Sequence, residues 1–262
     1  MDGRISAALF LFTMPLVCAG CVTTQTPTNV ANPATSTSSE STKVDEMPKV
    51  VKKADGPKRD PLPATEIAFG LIREQDADTE AAKANPEAQA RMRDEARKAY
   101  QHALKLDPNK LDAYRHLGRI YGKMSDFDRA NEIYQKALAK FPKDATLWYD
   151  VGLFHLRKKE FSEGVRCFNK ALEFDPENRE CMKKLGFTLA WMQQYDQGLV
   201  WLTRAQGSAQ AHFNIARILL DRNQNELARQ HLQTAVRENG QLEEARALLD
   251  HLEGRTANPA RQ

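Results

Sequence analysis

Four cysteines and six histidines are the residues of this 262-residue chain best suited to metal binding or nucleophilic chemistry. Cys18 and Cys21 share an N-terminal apolar segment, whereas Cys167 and Cys181 lie far from it and 14 residues apart. That separation is wider than the close pairs of structural zinc sites, and no histidine stands beside either residue. Buried thiols packed as small hydrophobes are expected for Cys167 and Cys181, with a disulfide left open if the compartment is oxidising. The histidines, His102, His116, His155, His212, His231 and His251, are scattered. His155 reads as a packing residue, and Glu226 with His231 is too loosely spaced for a metal pair. Beyond the N-terminal apolar segment the chain contains no HExxH, no CxxC pair, no phosphate-binding glycine loop and no nucleophile elbow. The expectation is therefore no catalytic residue, no cofactor and no metal, in a protein that acts by binding.

Composition narrows what it could bind. The 38 basic and 35 acidic residues give a net charge of +3, short of the concentrated basic excess of a nucleic-acid-binding domain. Glycine and proline are few and no strand-like alternation stands out, so helix is favoured.

The N-terminus reads as an address. Ile5 to Ala19 is an apolar run of about 15 residues, preceded by Arg4. It is shorter than the roughly 20 residues that span a bilayer and has the form of a signal peptide. It closes on Ala19-Gly20-Cys21, which resembles a bacterial lipobox, although Cys18 stands where that motif prefers leucine. The resemblance implies cleavage after residue 20 and lipid attachment at Cys21, giving a membrane-anchored lipoprotein of the bacterial envelope that faces the periplasm, outer membrane favoured over inner. Ordinary secretion and an uncleaved anchor are the alternatives. From Val22 to Pro63, 17 of 42 residues are Thr, Ser or Pro, too polar to offset chain entropy, so residues 21–63 read as a disordered tether.

The body carries a repeat. Pro108, Pro142 and Pro176 are each 34 residues apart, in the contexts Ala-Leu-Lys-Leu-Asp-Pro, Ala-Leu-Ala-Lys-Phe-Pro and Ala-Leu-Glu-Phe-Asp-Pro. Units counted from three residues past each proline start at Leu111, Ala145 and Arg179, and a fourth starts at Ala209. Their eighth, twentieth and twenty-seventh residues are Gly118, Ala130, Ala137; Gly152, Gly164, Ala171; Gly186, Gly198, Ala205; and Ala216, Ala228, Ala235. All are Gly or Ala, as close approach of two antiparallel helices requires. Large residues such as Tyr134, Phe168, Leu202 and Leu232 recur between them.

This pattern resembles the tetratricopeptide repeat, a 34-residue helix–turn–helix unit, which implies an all-α superhelix, an α-solenoid of antiparallel helix pairs. The expected organisation is a domain over 64–254: an irregular first repeat at 64–110, repeats at 111–144, 145–178, 179–208 and 209–242, and a capping helix at 243–254, then a disordered tail at 255–262. The 30-residue unit 179–208 is expected to shorten its second helix by about a turn. In the next unit Gly240 replaces the proline and His212 replaces the usual aromatic. The family lines a concave groove with its first helices. Carried over by position, the groove residues are Arg115, Arg119, Tyr149, Lys183, Phe187, Trp191, Phe213 and Arg217, with Leu153 and Leu156 among them. Arg119, Leu153, Phe187 and Arg217 occupy places where a carboxylate clamp would need asparagine, so chain-terminal carboxylate recognition is not expected. The resemblance implies a tethered scaffold or adaptor binding a protein or peptide segment in envelope assembly. A self-associating structural component, or a soluble periplasmic chaperone if Cys21 carries no lipid, are the alternatives.

Overall fold

The computed structural model describes residues 61–254. The signal-peptide segment 1–20, Cys21, the tether as far as residue 60 and the tail 255–262 lie outside the described residues. Within them the chain is all helix and no strand: α1 Pro63–Ala77, α2 Glu80–Lys83, α3 Pro86–Leu106, α4 Leu111–Lys123, α5 Phe127–Lys140, α6 Ala145–Arg157, α7 Phe161–Phe174, α8 Arg179–Trp191, α9 Tyr195–Gln206, α10 Ser208–Asp221, α11 Asn225–Glu238 and α12 Glu243–Leu252. The expected α-solenoid of helix pairs is what forms. α1 packs on α3, α4 on α5, α6 on α7, α8 on α9, α10 on α11, and α12 closes against α11.

Local chemistry sets the helix ends. Asp126, Asp144 and Asn178 each accept a hydrogen bond from the backbone N–H three residues on, at Arg129, Leu147 and Cys181, as N-caps do. Pro63 and Pro86 stand at the first helical position, where the missing N–H costs nothing. Inside each later pair the turn is three residues, and its middle residue is left-handed: Ser125, Lys159, Gln193 and Asn223, with φ of 61°, 63°, 66° and 59°.

The pairs close through one repeated contact. A Cβ built on Gly118 would sit 2.6 Å from the Tyr134 ring, one on Gly152 2.5 Å from Phe168, and one on Gly186 2.7 Å from Leu202. In the irregular first unit Gly70 makes the same contact with Tyr100, at 2.5 Å. Gly70 and Tyr100 are 30 residues apart, whereas the later partners are 16 apart. The difference of 14 is taken up by α2 and the additional N-terminal turns of the 21-residue α3.

The shortened unit differs from expectation. α9 has 12 residues against 14 in α5, α7 and α11, about half a turn and not a full one. The larger loss is in the linker, where Gly207 alone replaces the four residues that join the other pairs. Its φ of +90° explains why glycine stands there. Cys167 and Cys181 are buried free thiols, and the Cys181 thiol faces the Phe168 carbonyl at 3.5 Å. Burial pushes them up to about 11 and about 12.

Candidate binding groove

The first helices of successive pairs touch one another, α1 with α4, α4 with α6 and α8 with α10, whereas the second helices meet chiefly the first helix of the next pair. Closer spacing on one side curves the stack toward that side, so the groove is lined by α1, α4, α6, α8 and α10. α6 and α8 approach each other less closely than those three pairs do.

In the N-terminal half the groove is charged and internally neutralised. Glu74 on α1 is 4% exposed and accepts the Arg119 guanidinium through both oxygens at 2.7 and 2.8 Å. The same carboxylate takes the Lys123 ammonium at 2.8 Å and the Tyr100 hydroxyl at 2.9 Å. Burial alone would raise Glu74, but hydrogen bonds and charge from Arg119 and Lys123 win and hold it at about 2. Burial, reinforced by neighbouring Arg119, lowers His116 to about 4. Arg115 donates to the buried Asp150 of the next unit at 2.6 Å, while burial pushes the Asp150 carboxyl upward against that pull. Between these groups only a water-sized void of about 30 Å³ remains.

The C-terminal half is apolar and open. Where α6 and α8 part, a cleft of about 460 Å³ is lined by Leu156, Phe161, Lys184, Phe187, Thr188 and Trp191. Trp191 is 50% exposed and Phe161 39%. Arg222 lies over the Trp191 ring, 5.8 Å from its centroid, and donates to the Trp191 carbonyl, which fixes that end of the cleft. Large apolar side chains seldom remain this exposed together unless something covers them in use.

The eight predicted groove residues therefore fall into different situations. Phe187 and Trp191 line the cleft. Tyr149 packs its ring on Phe168, with centroids 5.8 Å apart, and burial raises its hydroxyl to about 12. Arg115 and Arg119 are held by Asp150 and Glu74, and Lys183 pairs with Glu180 one turn away. Phe213 is a correction: at 3% exposure it belongs to the core, with exposed Arg217 stacked over its ring at 5.8 Å. Phe161 and Lys184 were not anticipated. Phe161 shares its repeat position with Phe127 and Tyr195 and so reads as a turn marker; only the α6–α8 gap uncovers it. The partners Glu74 and Asp150 carried no signal beyond charge.

A family model described as the cilia and flagella-associated protein 70 middle TPR-like domain matches residues 114–250, and a TPR repeat model matches residues 94–125. The chain belongs to this tetratricopeptide-repeat (TPR) family. Among solved structures, the TPR chain is similar to that of the functional characterisation of Pseudomonas aeruginosa PilF, at 21% identity over 73% of this chain and 83% of that one, with a TM-score of 0.53. It is also similar to the crystal structure of the MamA protein, at 17% identity over 70% of this chain and 94% of that one, with a TM-score of 0.51. These likenesses concern the fold. No curated protein matches the sequence.

Proposed function

We propose that this TPR protein is a non-catalytic, membrane-tethered scaffold of the bacterial cell envelope that holds an extended segment of another protein in the α6–α8 cleft. The observation that carries the reading is the open aromatic cleft of Phe161, Phe187 and Trp191 beside a groove whose other half is already neutralised. Aromatic anchors dominate protein interfaces because they bury area at little entropic cost. Exposed Lys184 lines the cleft without a carboxylate partner among the described residues. The segment that fits is therefore an apolar or aromatic anchor flanked by acidic side chains. No described helix is long and apolar enough to cross a membrane. Attachment in this reading falls to lipid on Cys21, at the outer rather than the inner membrane, with a tether of about 40 residues reaching on the order of 35 Å into the periplasm.

The test is a photo-crosslinking side chain placed at position 191 and, separately, at exposed position 166 on α7, in native membranes. A discrete adduct from 191 alone, lost on Phe161→Ala/Phe187→Ala, is the expected result; equal labelling from both positions would refute the cleft as the docking site. An intact mass of the membrane-extracted protein that lacks acylated Cys21 would refute the tether. A second reading, self-association, is favoured by exposed Leu62 just before α1 and Phe69 and Ile72 on it; a mass that rises with concentration would support it.

A further inference from the structure

We propose that His212 and His231 form a binding site for one divalent transition-metal ion, with copper(II) or nickel(II) preferred over tetrahedral zinc. His212 on α10 and His231 on α11 face each other with their Nδ1 atoms 2.9 Å apart and ring centroids 5.0 Å apart. They stand at the fourth and twenty-third positions of their unit. The other units place Tyr114 and Ile133, Trp148 and Cys167, or Met182 and Trp201 there. Tyr114 and Trp148 turn their polar tips to the carbonyls of Pro108 and Pro142. With its proline linker replaced by Gly207, the fourth unit has no such carbonyl, and His212 turns to the facing helix instead.

The backbone beneath the pair is fixed, because Ala211, Phe213, Leu232 and Ala235 beside the two histidines are all buried. Above it an open cleft of about 200 Å³, lined also by Gln230 and Thr234, leaves room for water or a further ligand. In the metal-free pair one Nδ1–H donates to the other Nδ1. A bound ion takes the place of that proton, which is transferred by way of solvent to Nε2 of the same ring, so both imidazoles stay neutral and both Nδ1 atoms donate lone pairs. Two nitrogens at this separation, each about 2.0–2.1 Å from a shared ion, subtend roughly 90° at it. That is the cis angle of a tetragonal site, which suits copper(II) or nickel(II), whereas a tetrahedral ion needs the nitrogens about 3.3 Å apart. Asp196 on α9 and Glu238 on α11 bring negative charge within electrostatic reach, opposed by Arg237. Among the described residues no group of three or more His, Cys, Asp or Glu converges on a metal position, so solvent must complete the coordination and the affinity is that of a two-imidazole site.

The experiment is calorimetric titration of the full chain, freed of any affinity tag, with nickel(II) chloride in a non-coordinating buffer. One ion per chain is expected, with binding weakened at least about tenfold by His212→Gln or His231→Gln and unchanged by His102→Gln, a histidine on α3. His212→Tyr and His231→Ile install residues that the 111–144 repeat carries at the same positions, so they keep the test valid if a glutamine variant misfolds. The electron paramagnetic resonance spectrum of the copper(II) adduct should show two imidazole nitrogens in the wild type and one in each single variant. Nickel affinity that is absent, or unchanged by both substitutions, overturns the site.

Discussion

Replacing Glu74 by glutamine keeps the side chain's volume and removes the one carboxylate shared by Arg119, Lys123 and the Tyr100 hydroxyl. Lys123 retains Asp78 at 2.5 Å, but the partly buried Arg119 guanidinium loses its bidentate carboxylate and keeps only His116 and the neutral glutamine carbonyl as hydrogen-bond partners. Breaking one side of a buried pair costs about 3 kcal/mol or more, because the remaining charge has lost water without gaining a partner. The pH dependence gives an independent magnitude. Glu74 is held at about 2 against an ordinary value of 4.5, and at about 1.4 kcal/mol per tenfold change in proton affinity this amounts to roughly 3 kcal/mol. A depressed carboxyl contributes stability that is present above its unfolded value and lost as pH falls through its folded one. Wild type should therefore lose this stability between pH 4.5 and about 2, and Glu74→Gln should lack that limb. His116, held neutral down to about 4 against an ordinary 6.5, adds a separate loss as pH falls from 6.5 to 4, which the variant retains. Urea unfolding at a series of pH values, with hydrogen exchange read on α1, separates the two, since a solenoid can lose an end unit before the rest. A variant within about 1 kcal/mol of wild type at pH 7, with the same acid limb, would refute the view that this carboxylate locks α1 onto α4.

Three further outcomes follow from the packing. Gly152→Ala, whose Cβ would meet Phe168 at 2.5 Å, should lower stability by about 1–3 kcal/mol in chemical denaturation through overpacking. Lys159→Gly, at a left-handed φ of 63°, should raise stability by about 0.5–1 kcal/mol, as seen in the thermal midpoint. Cys167 and Cys181, buried and raised to about 11 and about 12, should react with Ellman's reagent at pH 8 only as fast as the protein opens. Both should react at once in denaturant.

The sequence by itself carried the architecture, because repeated small residues admit one physical reading. Gly118, Gly152 and Gly186 recur where Tyr134, Phe168 and Leu202 must fit, and a 34-residue period with closing prolines ends each pair at a predictable place. The irregular first unit repeats that contact through Gly70 and Tyr100. The groove was legible only as a set of positions. Whether Arg115 and Arg119 are free to meet a ligand depends on Asp150 and Glu74, 35 and 45 residues distant, and no local pattern encodes such a pairing. Phe213 occupies a groove position by count, yet sits in the core. The gap between α6 and α8, which exposes Phe161 and Trp191, and the turn of His212 toward His231 are likewise set by how whole helices stack. Spacing along the chain fixes which residues share a helix face; only the stacked helices decide which of those faces stays open.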